Sequence, residues 1–334
     1  MKMHYAVEYL RIPILLFLIV CIASIIGSGP VAAAPAGSRW GADYFPNIPL
    51  VTQDGKTVRF YDDLIKDKVV AINFIYTHCG DTCPLETASL RQVQKQLGNR
   101  VGRDIFFYSI SIDPDHDTPA VLKEYAENFK VGPGWTFLTG DKAEIALLRK
   151  KLGLYSRNDQ SEKLNEHHTS FIIGNEAIGQ WIKRSPFDEP MVLARLLGDS
   201  LQRVHAAKAG ALSYAEAPRL STLARGEDLY RSRCDSCHSL GTEDGLGPGL
   251  SGVTEKRDRA WLARWLKAPD RILAEKDPIA MQLFEQYQKL LMPNLRLSDA
   301  DVEALIAYMA DPNKRAGNTI IESVISKTTL TPSP

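Results

Sequence analysis

The chain has five cysteines, and their placement constrains it more than any other feature. Cys21 falls in an apolar N-terminal stretch, and the other four form two close pairs, Cys79/Cys83 and Cys234/Cys237. None remains for a structural disulfide framework, so the 334 residues must fold around hydrophobic cores and each pair reads as a chemical site. A chain of this length suits about two domains. Lys plus Arg total 40, as do Asp plus Glu, and a net charge of zero gives no reason to expect nucleic acid as a partner.

The pattern around each pair differs. From about Tyr44 to His205, strand and helix signals alternate. Asp54-Gly55 between short alternating runs predicts a hairpin within Leu50 to Phe60. Val69 to Tyr76 is a continuous apolar run, as expected of a strand buried on both faces. Pro84 to Leu97 reads as a helix, Ile105 to Ile112 as a second buried strand, and Pro119 to Phe129 and Ala143 to Leu152 as helices. A hairpin across Gly174-Asn175 joins Thr169 to Ile173 with Ala177 to Ile182, and a helix from Pro190 to Val204 closes the segment. This alternation predicts an α/β fold with a mixed sheet. A dithiol at the end of the first buried strand, leading into a helix, is the thioredoxin-like arrangement. From about Ser221 to Asp311 there is no strand signal. Helices are expected over Leu223 to Arg233, Arg259 to Leu266, Pro278 to Leu291 and Asp299 to Ala310, the last capped by Ser298. The expected organisation is an α/β domain over 40–205, a small-residue linker over 206–220, an all-α domain over 221–312 and a polar tail over 313–334. Such a linker tethers two sites without requiring an interface between them.

Residues 1–36 read as an export signal or a membrane anchor. Lys2 and Arg11 precede an apolar run from Ile12 to Ile26, and no charge returns until Arg39. The run falls between a secretory apolar region and a spanning helix in length. Ala34-Pro35-Ala36 offers a small-x-small cleavage site, while the uncharged extension to Ala36 would serve an uncleaved anchor. Val20 before Cys21 disfavours a lipoprotein. The expected location is the periplasm, free or anchored on the periplasmic face of the inner membrane.

Cys234-Asp235-Ser236-Cys237-His238 is a C-x-x-C-H run, the attachment signature of haem c. Two thiols one helical turn apart reach the two vinyl groups of one haem edge, and the adjacent His turns under the ring to ligate iron. The downstream sequence resembles class I cytochromes c. Gly247-Pro248-Gly249-Leu250 is similar to their loop along the haem edge, and Met292-Pro293-Asn294 before Leu297-Ser298-Asp299 to their distal segment. The resemblance implies Met292 as sixth ligand. Met281, the rival, lies inside a helical pattern. His/Met ligation favours electron transfer.

In Thr77-His78-Cys79-Gly80-Asp81-Thr82-Cys83-Pro84 the C-x-x-x-C pair can close a disulfide or splay around a metal ion. Cys83 is expected at a helix N-terminus, where the dipole favours thiolate, and soft thiolates select Cu(I) or Zn. Together with Ser109 to Thr118 and His168-Thr169, this segment resembles the Sco/SenC family of copper chaperones in cytochrome oxidase assembly. The resemblance implies a Cys79, Cys83 and His168 copper site, and a respiratory cytochrome oxidase subunit as client. His167 leaves a second ligand choice open, and His78 and His116 are further rivals. Asp113 and Asp117 have two readings, orienting the site or capping the next helix. The family supports both copper delivery and thiol–disulfide reduction. A thiol peroxidase shares the fold, but Thr82-Cys83-Pro84 shows no base or Arg arrangement for peroxide. A plain electron carrier with a docking module is the third reading.

Overall fold

The computed structural model describes residues 40–80, 82–154, 171–202 and 224–311. The α/β part contains a seven-stranded sheet in the order β2-β1-β5-β4-β3-β6-β7. Its strands are β1 (Pro49–Thr52), β2 (Thr57–Arg59), β3 (Val69–Ile75), β4 (Ile105–Ser111), β5 (Trp135–Gly140), β6 (Phe171–Asn175) and β7 (Gln180–Arg184). Its helices are α1 (Cys83–Leu97), α2 (Pro119–Asn128), α3 (Lys142–Lys151) and α4 (Pro190–Arg195). β3, β4 and β5 run parallel, and the outer pairings are antiparallel.

All seven residues of β3 are buried, so its unbroken apolar run is what a central strand flanked by β4 and β6 requires. Each large apolar side chain it removes from water contributes about 1.5–3 kcal/mol. The strand therefore anchors the sheet, and its C-terminal end is a rigid place from which to launch the dithiol loop.

The structure differs from the sequence reading in several places. β5 gave no separate sequence signal, yet it pairs with both β1 and β4 and buries Trp135, Phe137 and Leu138. Gly174-Asn175 lies within β6 instead of forming the turn. A side chain at Gly174 would come within 2.3 Å of the Trp181 ring, so glycine serves close cross-strand packing there. The reversal falls instead at Glu176–Ile178, where Gly179 has φ +65°. The helix expected over Pro190 to Val204 is α-helical to Arg195 and widens to a π-helical turn over Leu196–Ser200.

The helical part comprises α5 (Arg225–Arg233), α6 (Val253–Lys256), α7 (Arg259–Lys267), α8 (Pro269–Ala274), α9 (Pro278–Gln286) and α10 (Asp299–Ala310). Ser298 caps α10 through a reciprocal capping box with Asp301. α9 stops at Gln286, short of the expected Leu291, because Gln288 and Lys289 adopt φ +57°. That stop releases the segment carrying Met292. α5 and α10 cross closely: a Cβ at Gly226 would lie 2.2 Å from the Ala304 carbonyl oxygen. Leu229, Tyr230, Leu262, Leu305 and Ile306 form this part's core.

The two parts touch. Gln92 Nε2 donates to the Asp235 carbonyl at 3.0 Å, Lys130 Nζ to the Gly245 carbonyl at 3.2 Å, and the Asn294 N–H to the Gly80 carbonyl at 3.3 Å. A tether alone does not describe them. The linker over 206–220 and the leader lie outside the described residues. Among the described residues, no helix is long and apolar enough to cross a membrane.

Candidate functional site: a buried dithiol and an apolar cleft

β3 ends at Ile75, and four residues later Cys79 precedes the turn into α1. Cys83 is the first residue of α1, and its N–H donates to Cys79 Sγ at 3.4 Å. A helix N-terminus has donors without intrahelical partners. Thr82 provides no side-chain cap here, and the sulfur of Cys79 accepts one of those amides. Both cysteines are buried. The expected lowering of the Cys83 pKa is not found. Burial pushes it well above the ordinary thiol value, reinforced by the hydrogen bond and charge of Cys79, and the Tyr76 backbone hydrogen bond opposes this only in part. The amide support thus goes to Cys79, and a charged Cys83 needs a cation to offset its desolvation. Two close buried sulfurs that need such compensation fit a soft metal ion.

Asp117 is fully buried and faces the site. It accepts hydrogen bonds from the Thr77 N–H at 3.1 Å, from Thr77 Oγ1 and from Ser111 Oγ, pinning the chain two residues before Cys79. The helix-capping role belongs to Thr118, whose Oγ1 accepts from the Val121 N–H. Asp113 contacts His116 Nδ1 at 2.7 Å and His78 Nε2 at 3.6 Å. Both histidine side chains are at least half exposed, on the rim beside the pair. His167 and His168 lie outside the described residues. Among the described residues, no three His, Cys, Asp or Glu side chains are gathered as metal ligands.

Sequence reasoning missed Glu86. It follows Cys83 by one helical turn and is 2 % exposed. One oxygen is 3.4 Å from Asn73 Nδ2, and among the described residues the other has no hydrogen-bond partner. Asn73 Oδ1 accepts from Ser109 Oγ, which accepts from Trp135 Nε1. A signal existed: Glu86, Leu90 and Val93 share the i, i+4, i+7 stripe of the buried face. Burial raises the Glu86 pKa to about 8 from an ordinary 4.5, against the lowering effect of the Asn73 hydrogen bond and with a smaller push from Cys79. The native state therefore holds a proton that the unfolded chain releases. This stabilisation is full below about pH 4.5 and is lost as pH climbs towards about 8, at up to about 1.4 kcal/mol per pH unit. Glu86→Gln should flatten the fall of Tm across that window in metal-free protein. An unchanged slope in thermal melts would exclude Glu86 as its source.

In the helical part, Cys234 ends α5, and the Cys237 and His238 amides both donate to the Cys234 carbonyl, closing one turn. His238 Nδ1 is 2.9 Å from the Pro248 carbonyl. A carbonyl only accepts, so Nδ1 carries the proton and Nε2 presents its lone pair. Burial lowers the His238 pKa, which keeps the ring neutral. Gly247 lies against this ring, where a Cβ would come within 2.5 Å of Cε1. Two apolar clefts share His238, Trp265, Leu283 and Met292 in their walls. Cys237 lines one and Cys234 the other. Met281 lines neither. The thiol pair, an imidazole with a free Nε2 and a thioether around apolar space fit a covalently attached haem.

Sheet, dithiol loop and histidine-bearing cleft define a class: an α/β dithiol protein joined to a helical domain of cytochrome c type. Residues 39–191 match the SCO1/SenC family model, and residues 223–311 match the cytochrome c model. The chain is 32% identical over 146 residues to an SCO2-like protein of Rickettsia felis, spanning 42% of this chain and 69% of that one. It is 33% identical over 126 residues to the SCO1 protein homolog of Bacillus subtilis, spanning 36% of this chain and 63% of that protein, so less than two thirds of it is matched. A solved structure, Bradyrhizobium japonicum ScoI with copper bound, is 28% identical, with a TM-score of 0.39 over 46% of this chain and 96% of that one. The chain belongs to the SCO1/SenC family and carries a cytochrome c domain behind its SCO1/SenC domain.

Proposed function

We propose that the protein is an exported copper-binding redox protein that helps to metallate the copper site of a respiratory cytochrome oxidase. Copper is its cargo, taken by Cys79, Cys83 and His168. A haem c is its resident group, attached through Cys234 and Cys237 with His238 and Met292 as axial ligands. The observation that carries this reading is the buried thiol pair at the N-terminus of α1, in a chain whose second domain turns His238 and Met292 into shared apolar space. When bound, haem supplies one-electron transfer. The residues around it hold the imidazole tautomer, exclude water and present the thioether. The apolar leader supports a periplasmic location, anchored or released.

A second reading, thiol–disulfide reduction of the oxidase's cysteines, draws on the same pair, because the amide on Cys79 Sγ favours that sulfur as the attacking thiolate. Metal analysis and optical spectra of periplasmically expressed protein test the proposal. One copper retained per chain after anaerobic purification supports delivery, and a cycling disulfide without copper affinity supports reduction. Gly247→Ala is expected to push the His238 ring out of place, lowering haem incorporation and disturbing the six-coordinate spectrum. A normal spectrum at full haem content would show that the loop can yield.

A further inference from the structure

The distal segment is held by the other domain. Between the end of α9 and the start of α10 the chain has no regular structure. Pro293, next to Met292, has no N–H, so the first backbone donor after Met292 is that of Asn294. It donates to the Gly80 carbonyl, inside the Cys79–Cys83 loop. Leu85, two residues after Cys83, packs against the helical domain's core, as does Met292. In the opposite direction, Leu246 belongs to the α/β core, and Cys237 and Leu290 pack against it. Further along α1, Gln92 holds the Asp235 carbonyl within the C-x-x-C-H run. The dithiol loop therefore touches the distal segment through Gly80, and the helix that it opens touches the attachment loop through Gln92.

We infer that the dithiol loop is a positioning element for Met292, so that the state of Cys79 and Cys83 sets how firmly the distal side of the haem is closed. This rests on the haem reading above. Only Gly80, Asp81 and Thr82 separate the two cysteines. Drawing the sulfurs into a disulfide, or gathering them about a metal ion, cannot leave the Gly80 carbonyl undisturbed, and that carbonyl is the anchor of Asn294. Among the described residues a Cβ at Gly80 would meet nothing within 4 Å, which leaves the loop room to shift. No electron has to pass for this coupling to act. It is mutual: whatever fixes Met292 also biases the dithiol loop.

The test uses the full haem-loaded chain in the ferric state and titrates it optically with imidazole, which competes with a distal methionine. Wild type is compared with Cys79–Cys83 as a disulfide and with the pair holding zinc, a redox-inert ion. The two states are expected to differ at least about fivefold in imidazole affinity, the lower end of ordinary site-to-site coupling. In Cys79→Ser/Cys83→Ser the difference with and without zinc should vanish. Hydrogen exchange of the peptide containing Asn294 should change with the state of the pair in wild type and not in the double variant. Equal affinity and equal exchange in the two wild-type states would overturn the inference. Met292→Ala separates the two levels. If it raises imidazole affinity while wild type ignores the state of the pair, the positioning role fails alone. If it changes nothing, the assignment of Met292 fails, and the inference with it.

Discussion

Replacing either Cys79 or Cys83 by serine is expected to abolish tight Cu(I) binding, lowering affinity by more than roughly 100-fold. That exceeds the 10–100-fold typical of groups that only orient a ligand. Cu(I) prefers thiolate sulfur, and a single thiolate with an imidazole leaves it undercoordinated. The structure sharpens the expectation, because both sulfurs are buried and the first amide of α1 donates to Cys79 Sγ. Cys79→Ser removes the sulfur that the helix N-terminus supports, whereas Cys83→Ser removes one whose charge burial disfavours. His168→Ala should weaken Cu(II) more than Cu(I), since imidazole suits the harder valence. Competition titrations with a Cu(I) chelator measure the first effect, and Cu(II) titrations the second. If His167→Ala gives the Cu(II) loss and His168→Ala is silent, the two histidines exchange roles. Retention of tight Cu(I) binding in a single-serine variant would refute the dithiolate site.

The second large effect concerns the pigment. The protein should show the absorption of a six-coordinate c-type haem that survives acid–acetone extraction, because two thioether bonds hold it. Extractable haem would rule out covalent attachment through Cys234 and Cys237. As free thiols these two have pKa values raised by burial to about 12 and about 11, so neither gains from ionising in its apolar surroundings. Met292→Ala should open the distal position, so that the ferrous protein binds carbon monoxide, which the closed site resists. Met281→Ala should not, because Met281 lines neither cleft beside His238. Carbon monoxide binding after Met281→Ala and not after Met292→Ala would reverse the assignment.

These expectations draw unequally on sequence and structure. The two cysteine pairs, the unbroken run of β3 and the capped helix from Asp299 to Ala310 were legible because each depends on neighbours a few residues away. So was the join between β3 and α1 that presents the dithiol. Capping, periodicity and ligand spacing are short-range rules, and a sequence states them directly. Only the tertiary structure decided that Trp135–Gly140 is a strand, since its partners β1 and β4 are distant in sequence. It likewise decided that Gly174 serves a ring and not a turn, that Asp117 holds Thr77 instead of capping a helix, and that Glu86 is buried beneath the dithiol. The bond from Asn294 to Gly80 joins residues more than 200 positions apart. No local pattern encodes such a contact. It arises when two separately built cores bury their remaining apolar edges against each other, and burial then fixes which polar groups must meet.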